Sequence, residues 1–262
     1  MEIWNLFYDY FLIAMAVFAG IVFVILQFVT VPYGMTFHNR WGLSVRSNLG
    51  WMIMELPVFL TMFLIYLFSL AYDIKPFNFV TFSIFVLFQL HYFQRSFIFP
   101  MLMRGSSKMP ISIIATGFFF NTCNAFMQGG WLFCFAPAEQ YPISWFWSPQ
   151  FIIGTIIFFS GMIINMHADR IIRKLRKNEQ DNNYYIPKGW PFKYISSANY
   201  FGELIEWLGF AILTWSFAGV VFFLWSFANI VPRSKEVYER YIQFFGDDFK
   251  KLNRYKIFPF IY

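Results

Sequence analysis

Charged side chains are scarce in this sequence. Only 13% of its 262 residues are Asp, Glu, Lys or Arg, whereas 58% are hydrophobic and 39 are Phe. Soluble domains usually contain about 25% charged residues. Half that fraction leaves too little polar surface to cover a water-soluble globule, so we expect lipid to cover much of this protein. The composition therefore excludes an ordinary soluble domain.

Cysteine and histidine are also rare, with two Cys and three His in the chain. Cys123 and Cys134 fall on one predicted helix, about 16 Å apart along its axis, which is too far for a disulfide. The His residues do not have metal-ligand spacing, so no metal site is expected. A G-x-G-x-x-G turn and a P-loop are missing as well, which excludes the common soluble nucleotide-binding folds.

Long apolar runs are abundant instead. A helix needs about 20 apolar residues to cross the hydrocarbon core of a bilayer. Five runs reach that length, at residues 7–29, 51–72, 77–99, 111–135 and 144–166. A sixth run, 199–231, is too long for one span and is short for two spans. The predicted fold class is an all-α polytopic membrane protein, and no repeat or linker divides its single domain, 1–262.

The basic residues predict how these spans are oriented. All Lys and Arg except Lys75 lie in the loop after span one, at the end of span three or in its loop, after span five, or in the tail. Because cytosolic segments are enriched in Lys and Arg, we expect an extracytosolic N-terminus and a cytosolic C-terminus. Residues 199–231 must then cross twice, with Gly209 or residues 216–219 as the reversal point, which makes seven transmembrane helices. One long tilted helix is the alternative.

Two ionisable side chains fall inside predicted spans, where charge is costly and often functional. Glu55 lies about one turn inside the cytosolic end of span two, and Tyr92 lies near the cytosolic end of span three. We therefore expect them at similar depth on neighbouring helices. The structural alternative is a Glu that pairs with Arg95 and a Tyr in an aromatic belt.

Span five ends in a polar stripe. Asn165, Asp169, Arg173 and Arg176 fall within about 80° of one another on a helix that turns 100° per residue. A dinucleotide suits this order, because amide and carboxylate match the nicotinamide and ribose hydroxyls and guanidinium matches phosphate. Membrane anchoring by snorkelling explains the two Arg residues but not Asn165 and Asp169.

A second polar stripe begins the sixth run. Asn199, Glu203 and Glu206 have i, i+4, i+7 spacing. Carboxylates are poor lipid-facing groups, so we expect this stripe to face a polar cavity beside the preceding basic loop. Arg233 and Tyr241 follow in the predicted cytosolic tail. The two stripes predict a nucleotide site built from membrane helices and their loops.

The motifs around these residues resemble the steroid 5α-reductase family, also called 3-oxo-5α-steroid 4-dehydrogenases. The matching pieces run in order along the chain: Trp51 with Glu55-Leu56-Pro57, His91-Tyr92-Phe93 with Arg95, Arg104-Gly105, Asn124 with Gln128-Gly129, Asn165-x-His167-x-Asp169, Leu175-Arg176-Lys177, Tyr184-x-Ile186-Pro187, Ala198-Asn199-Tyr200-x-Gly202-Glu203 with Glu206-Trp207, and Pro259-Phe260-Ile261.

The resemblance implies a seven-helix reductase that takes NADPH from the cytosol. Glu55 and Tyr92 match the pair that grips the 3-keto oxygen of a 3-oxo-Δ4-steroid. The positions that match the cofactor site are Asn165, Asp169, Arg176, Tyr184, Asn199, Glu203 and Tyr241. Arg104, Arg173 and Arg233 are further cofactor candidates, and Trp51, Met54 and Phe118 are candidates for steroid contact. The steroid pocket is expected mainly in 1–135 and the cofactor site mainly in 144–262.

The implied reaction adds hydride to C5 and a proton to C4, giving a 5α-reduced 3-ketosteroid. Tyr92, hydrogen-bonded to a Glu55 kept protonated by burial, would stabilise the charge that develops on the carbonyl oxygen. The steroid would enter from lipid. We expect a monomer without nucleic-acid partners, in the bacterial inner membrane or the endoplasmic reticulum, with its active site open to the cytosol.

Three positions depart from the family pattern. Met54 stands where the steroid enzymes commonly have Gln, Trp190 stands where a second glycine is usual, and a tail histidine is absent near Val237. Met54 leaves open a related reductase of another lipid enone or enoyl compound. An isoprenylcysteine-type methyltransferase has no use for a Glu55–Tyr92 pair, and a sterol-binding protein or channel has no use for a nucleotide stripe.

Overall fold

The computed structural model describes residues 2–178, 180–181 and 183–262. Helices dominate this part of the chain: α1 Glu2–Ile25, α2 Ser47–Ala71, α3 Phe79–Phe93, α4 Phe99–Leu102, α5 Ile111–Gly130, α6 Pro149–Leu175, α7 Ala198–Thr214, α8 Phe217–Phe245 and α9 Asp247–Lys250. Sections of π-helix follow α3 and α5, at Gln94–Ile98 and Trp131–Phe135. Single 3-10 turns occur at Gly34–Thr36, Asn39–Trp41, Ala138–Gln140 and Ile143–Trp147.

Among the described residues, the four helices α1, α2, α6 and α8 are long and apolar enough to cross a membrane. Their outer faces carry large apolar side chains such as Phe18, Leu64 and Ile156, which are 55%, 61% and 61% exposed. Such surfaces are stable against lipid and not against water. The chain is a membrane protein. The number of crossings and the side of each terminus stay predictions.

The sixth apolar run is two helices. α7 ends where Trp215 adopts a left-handed conformation, with φ 45° and ψ 43°. Ser216 then caps α8, because its Oγ accepts a hydrogen bond from Gly219 N at 3.0 Å. A Cβ at Gly219 would lie 2.6 Å from Thr214 Oγ1. The alternative of one long helix is therefore wrong. The break lies at Trp215–Ser216, at the start of the predicted 216–219 stretch, and not at Gly209.

Small residues let α6 and α7 touch backbone to backbone. A Cβ added at Gly161 would lie 2.2 Å from Glu206 N, and one at Gly202 would lie 2.4 Å from Asn165 N. Close approach through glycine is characteristic of helix pairs in membranes. This contact brings the two predicted polar stripes side by side.

A two-stranded sheet joins the beginnings of α2 and α5. β1, Ser44–Arg46, pairs antiparallel with β2, Lys108–Pro110, with Val45 opposite Met109. The two helices leave this sheet in the same direction and remain in contact. A Cβ at Gly117 of α5 would lie 2.3 Å from Met54 Sδ of α2. The arrangement places α5 beside Glu55.

Candidate active site

A polar cavity of about 250 Å³ lies where the start of α2, the end of α6, the start of α7 and the second half of α8 meet. Many of the residues predicted from the sequence line it: Trp51, Arg104, Asp169, Arg173, Arg176, Tyr184, Asn199, Arg233 and Tyr241. Asn165 and Glu203 lie behind this lining. A smaller cavity of about 120 Å³, around Lys75 and Asn78, lies near the other end of α2.

Arg176 reaches the polar cavity from a loop and not from the predicted helical stripe. α6 ends at Leu175, and Arg176 is extended, with φ −80° and ψ 128°. Its guanidinium donates to the carbonyl of Arg104, while Arg104 Nη1 donates to the carbonyl of Arg176 at 3.0 Å. Gly105, with φ 90°, leaves room for the Arg176 side chain. Arg176 thus lines the cavity, but it does so from the loop after α6, and the prediction that it continues the helical stripe is wrong.

The two polar stripes meet through side-chain amides. Asn165 Nδ2 donates to the carbonyl of Asn199 at 2.9 Å, and Asn199 Nδ2 donates to Asp169 Oδ1 at 3.1 Å. Asp169 Oδ2 is buried and has no hydrogen-bond partner within the described part of the chain. Asn165 therefore holds Asn199 in place. Asp169 Oδ2, which pairs with Arg95 Nη1 at 3.7 Å, makes no hydrogen bond and can still accept one beside the cavity.

Arg95 lies between the cavity and the membrane-buried residues. Its guanidinium stacks on the rings of Trp51 and Phe99, 4.5 and 4.6 Å from their centroids. Its nitrogens lie near three carboxylates, 3.8 Å from Glu55, 3.7 Å from Asp169 and 3.8 Å from Glu203. Glu203 thus faces Arg95 and is not part of the cavity lining. The sequence had suggested Arg95 only as the structural partner of Glu55.

Glu206 faces α3. Its Oε1 lies 2.7 Å from His91 Nδ1, and both side chains are buried. The prediction that this carboxylate faces a polar cavity is therefore wrong. The reason is depth. Glu206 lies on the same face of α7 as Asn199 but about two turns further along the helix, where α3 lies opposite it instead of the cavity.

Glu55 and Tyr92 are both buried, and each is bonded to α5. Asn121 Nδ2 donates to Glu55 Oε2 at 3.2 Å, and Asn124 Nδ2 donates to Tyr92 Oη at 3.0 Å. The expected direct hydrogen bond between Tyr92 and Glu55 is absent among the contacts of the described residues. Instead, two amide side chains that are three residues apart on α5 donate hydrogen bonds to Glu55 and Tyr92.

Comparison with known sequences identifies the family of this chain. The sequence model of the family described as 3-oxo-5-alpha-steroid 4-dehydrogenase matches residues 107–262. Steroid 5-alpha-reductase DET2 of Solanum lycopersicum is 36% identical over 262 residues, covering 98% of each chain. 3-oxo-5-alpha-steroid 4-dehydrogenase 1 of Mus musculus is 35% identical over 253 residues, covering 93% of this chain and 92% of its own. The chain belongs to this family.

As a member of the 3-oxo-5-alpha-steroid 4-dehydrogenase family, the protein is an oxidoreductase of steroid metabolism. The family match over 107–262 includes Asp169, Arg176 and Asn199 of the polar cavity. The full-length similarity to DET2 extends to the earlier part of the chain, which carries Glu55 and Tyr92. Both parts of the candidate site therefore lie within the shared sequence.

The residues predicted to contact the steroid do not come together in this family member. Trp51 lines the polar cavity and stacks on Arg95. Met54 packs against Gly117 on α5. Phe118 is 49% exposed on the outside of α5. Only Met54 adjoins Glu55 in the chain, and its backbone carbonyl accepts a hydrogen bond from Asn121 Nδ2 at 2.7 Å.

Arg233 uses most of its donors within the protein. Its guanidinium donates to the carbonyl of Val31 at 2.8 Å, to Thr36 Oγ1 at 2.6 Å and to Glu236 Oε2 at 2.9 Å. It also lies over the ring of Tyr33, 4.0 Å from the centroid. Arg233 therefore holds the 31–36 loop at the rim of the cavity.

No role was predicted for the amides of α5, although Asn124 and Gln128 belong to the motifs of the family resemblance. Asn121, Asn124 and Gln128 have i, i+3, i+7 spacing in an otherwise apolar span. They are 6%, 0% and 2% exposed. The spacing argument used for the other stripes would have identified them. We call these three residues the α5 amide row.

Proposed function

We propose that this protein is an NADPH-dependent reductase of the Δ4 double bond of 3-oxo-Δ4-steroids, giving 5α-reduced 3-ketosteroids. The observation that carries the proposal is the position of Arg95. Its guanidinium lies 3.8 Å from Glu55 in the membrane-buried region and 3.7 Å from Asp169 beside the polar cavity. A substrate carbonyl near Glu55 and a cofactor in the cavity would therefore be neighbours. The names of the relatives, which describe steroid reductases, supply the substrate class.

The polar cavity has the donors and acceptors that NADPH requires. Asp169 Oδ2 is a buried acceptor without a hydrogen-bond partner within the described residues. A ribose hydroxyl or the nicotinamide carboxamide would satisfy it. Arg104, Arg173 and Arg176 supply guanidinium groups suited to phosphates. When bound there, NADPH would supply the hydride that is added to C5 of the steroid.

Tyr92 and Glu55 are the residues that would polarise the enone. Reduction at C5 builds negative charge on the 3-keto oxygen, and a hydrogen-bond donor aimed at that oxygen lowers the barrier. Tyr92 has a hydroxyl proton to donate. Glu55 can donate as well, but only when its carboxyl group is protonated.

The charges around Arg95 favour that protonation. One guanidinium lies beside three buried carboxyl groups, those of Glu55, Asp169 and Glu203. If all three were ionised, two negative charges would remain without a partner in a region of low dielectric constant, which is costly. We therefore expect protons to be retained in this cluster, and we assign one of them to Glu55, because the proposed reaction needs a donor there.

Turnover by the purified protein tests the proposal. The protein in detergent is incubated with progesterone or testosterone and with NADPH that carries deuterium at both C4 positions of the nicotinamide ring. We expect a saturated 3-ketosteroid with one deuterium at C5. A parallel panel of a polyprenyl enone and an enoyl thioester examines the other lipid substrates. Reduction of the panel compounds but of neither steroid would overturn the proposed substrate class. If no compound is reduced, the proposal that the protein is a reductase is wrong.

A further inference from the structure

The α5 amide row is buried between the helices that carry Glu55 and Tyr92. An amide buried without hydrogen bonds is costly, so buried amides are normally paired. In this row each amide acts as a hydrogen-bond donor to a group on another helix. Asn121 and Asn124 use their N–H groups toward the two acids, and Gln128 donates to the carbonyl of Ala218 on α8 at 3.0 Å.

Gln128 favours the orientation in which the N–H end of the Asn124 amide faces Tyr92. Its Nε2 lies 3.5 Å from Asn124 Oδ1, so the oxygen of Asn124 is turned toward a donor. The Nδ2 group is consequently the end that meets Tyr92 Oη, at 3.0 Å. The phenol oxygen accepts this hydrogen bond. Since a phenol has a single proton, that proton remains available to another acceptor.

Asn121 acts on Glu55 in the same way. It has two N–H groups, one donated to the carbonyl of Met54 at 2.7 Å and the other to Glu55 Oε2 at 3.2 Å. The first contact fixes the amide against the backbone of α2. The second occupies a carboxyl oxygen as an acceptor. A protonated Glu55 therefore keeps its own O–H free for a further acceptor.

We propose that Asn121 and Asn124 are positioning residues that keep the protons of Glu55 and Tyr92 available to the substrate carbonyl. The inference rests on the proposed function, since it assigns the acceptor as the 3-keto oxygen. Both amides donate to oxygens that gain negative charge as these protons move toward the substrate. Their hydrogen bonds therefore strengthen in the transition state, which is where an interaction accelerates a reaction.

Substitutions at Asn124 separate this role from a purely structural one. Asn124→Asp keeps the shape but replaces a donor by an acceptor, which would take up the Tyr92 proton. Asn124→Leu removes the donor without offering an acceptor. For proton positioning we expect kcat to fall by at least about 100-fold in Asn124→Asp and by less in Asn124→Leu. A structural role gives the opposite order, because Asp can still pair with Gln128 and Tyr92, whereas Leu offers neither of them a hydrogen-bond partner.

The experiment measures kcat, the KM for NADPH and the solvent deuterium isotope effect on kcat for both variants. Asn121→Asp and Asn121→Leu form a second pair. Asn229, an exposed asparagine on α8 whose Nδ2 donates to the carbonyl of Trp225, provides matched controls as Asn229→Asp and Asn229→Leu. We expect near-normal KM for NADPH throughout and a larger isotope effect in the Asp variants at 121 and 124.

The outcomes distinguish this inference from the proposed function. If the wild-type protein reduces a steroid enone while the Leu variant is slower than the Asp variant at both positions, the inference is wrong and the function stands. Unchanged kcat in all four variants would also overturn the inference and leave the function in place. If the wild-type protein reduces no enone, the proposed function fails and the inference fails with it. A variant that does not fold shows no NADPH-dependent activity from which a KM could be measured. The pair of variants at the other position then decides whether the inference holds.

Discussion

Arg95 and Asp169 form an ion pair between two helical segments, with Arg95 Nη1 3.7 Å from Asp169 Oδ2. Arg95 belongs to the π-helical section after α3, and Asp169 lies two turns before the end of α6. Through Arg95, the carboxyl groups of Glu55 and Glu203 join the same cluster. The ion pair thus connects the buried acids to the polar cavity.

Removing the guanidinium of Arg95 should destabilise the fold. Arg95→Gln leaves the carboxyl groups of Glu55, Asp169 and Glu203 without a cation, and breaking a buried ion pair costs about 3–5 kcal/mol. Arg95→Lys keeps the charge but loses the planar stacking between Trp51 and Phe99, so its loss should be smaller. Thermal unfolding in detergent measures both. Arg170→Gln, an exposed position on α6, is the control, and equal midpoints for Arg95→Gln and the control would contradict the prediction.

The Glu55–Tyr92 pair should act on turnover more than on cofactor binding. Tyr92→Phe and Glu55→Ala should each lower kcat by about 100-fold or more, with nearly normal KM for NADPH, because the lost hydrogen bonds act in the transition state. The double variant should be little worse than the poorer single one, since the two side chains act as a unit. Glu55→Gln keeps a donor and should retain more activity than Glu55→Ala. Normal turnover by a folded Tyr92→Phe protein would remove the pair from the mechanism.

Arg176 should be needed for NADPH. A charge-assisted phosphate contact contributes about 1.5–3 kcal/mol, so Arg176→Ala should raise the KM for NADPH by about 10- to 150-fold. Asp169→Ala should weaken NADPH and NADH alike, because it would contact groups that both share. Lys174→Ala, an exposed basic residue in the last turn of α6, serves as the control. If Arg176→Ala leaves the KM unchanged, Arg176 only anchors the chain at the membrane surface.

Asp181 should order the loop that carries Tyr184 to the polar cavity. Its carboxylate accepts hydrogen bonds from Lys177 N at 2.9 Å, Asn183 N at 3.1 Å and Tyr185 Oη at 3.0 Å. We expect Asp181→Ala to raise the KM for NADPH about tenfold, since each of these bonds is charge-assisted. The exposed neighbour Gln180→Ala is the control.

The hydrogen bond from the Lys177 backbone does most to hold the pKa of Asp181 below its usual value. For a depressed carboxyl pKa, the stabilisation is complete above the ordinary value of about 3.9 and is lost as the pH falls through the lower, folded value. Asp181 should therefore stay ionised between pH 6 and 8, and its titration should add no pH dependence to the KM for NADPH in that range. A step in that range that disappears in Asp181→Ala would contradict this assignment.

Membrane topology provides an independent test. Tags after Asp73 and Ala138 should be extracytosolic, whereas tags after Asn178 and Tyr262 should both be cytosolic, because the basic residues lie on the cytosolic side. Protease protection or cysteine labelling in sealed vesicles reads the side of each tag. Opposite sides for the last two tags would mean that α7 and α8 do not cross as a pair, and that the cavity does not open to the cytosol as proposed.

Helical periodicity predicted part of the site because it is a local property. It identified Asp169 and Asn199, which do line the polar cavity. It failed at Arg176, since the helix ends one residue earlier, and at Glu206, which meets His91 on α3. Periodicity gives the angle between side chains on one helix, but it gives neither the residue at which the helix ends nor what lies opposite each of its turns.

The sequence by itself determined the membrane class, most of the helices and the family, because apolar length and local motifs are written along the chain. Only the tertiary structure decided that Arg95 lies among three carboxyl groups and that Asn121 and Asn124 hold Glu55 and Tyr92. These contacts depend on how far each helix is rotated and how closely it approaches the next. Glycines such as Gly117 and Gly161 set that approach through contacts with residues distant in the chain.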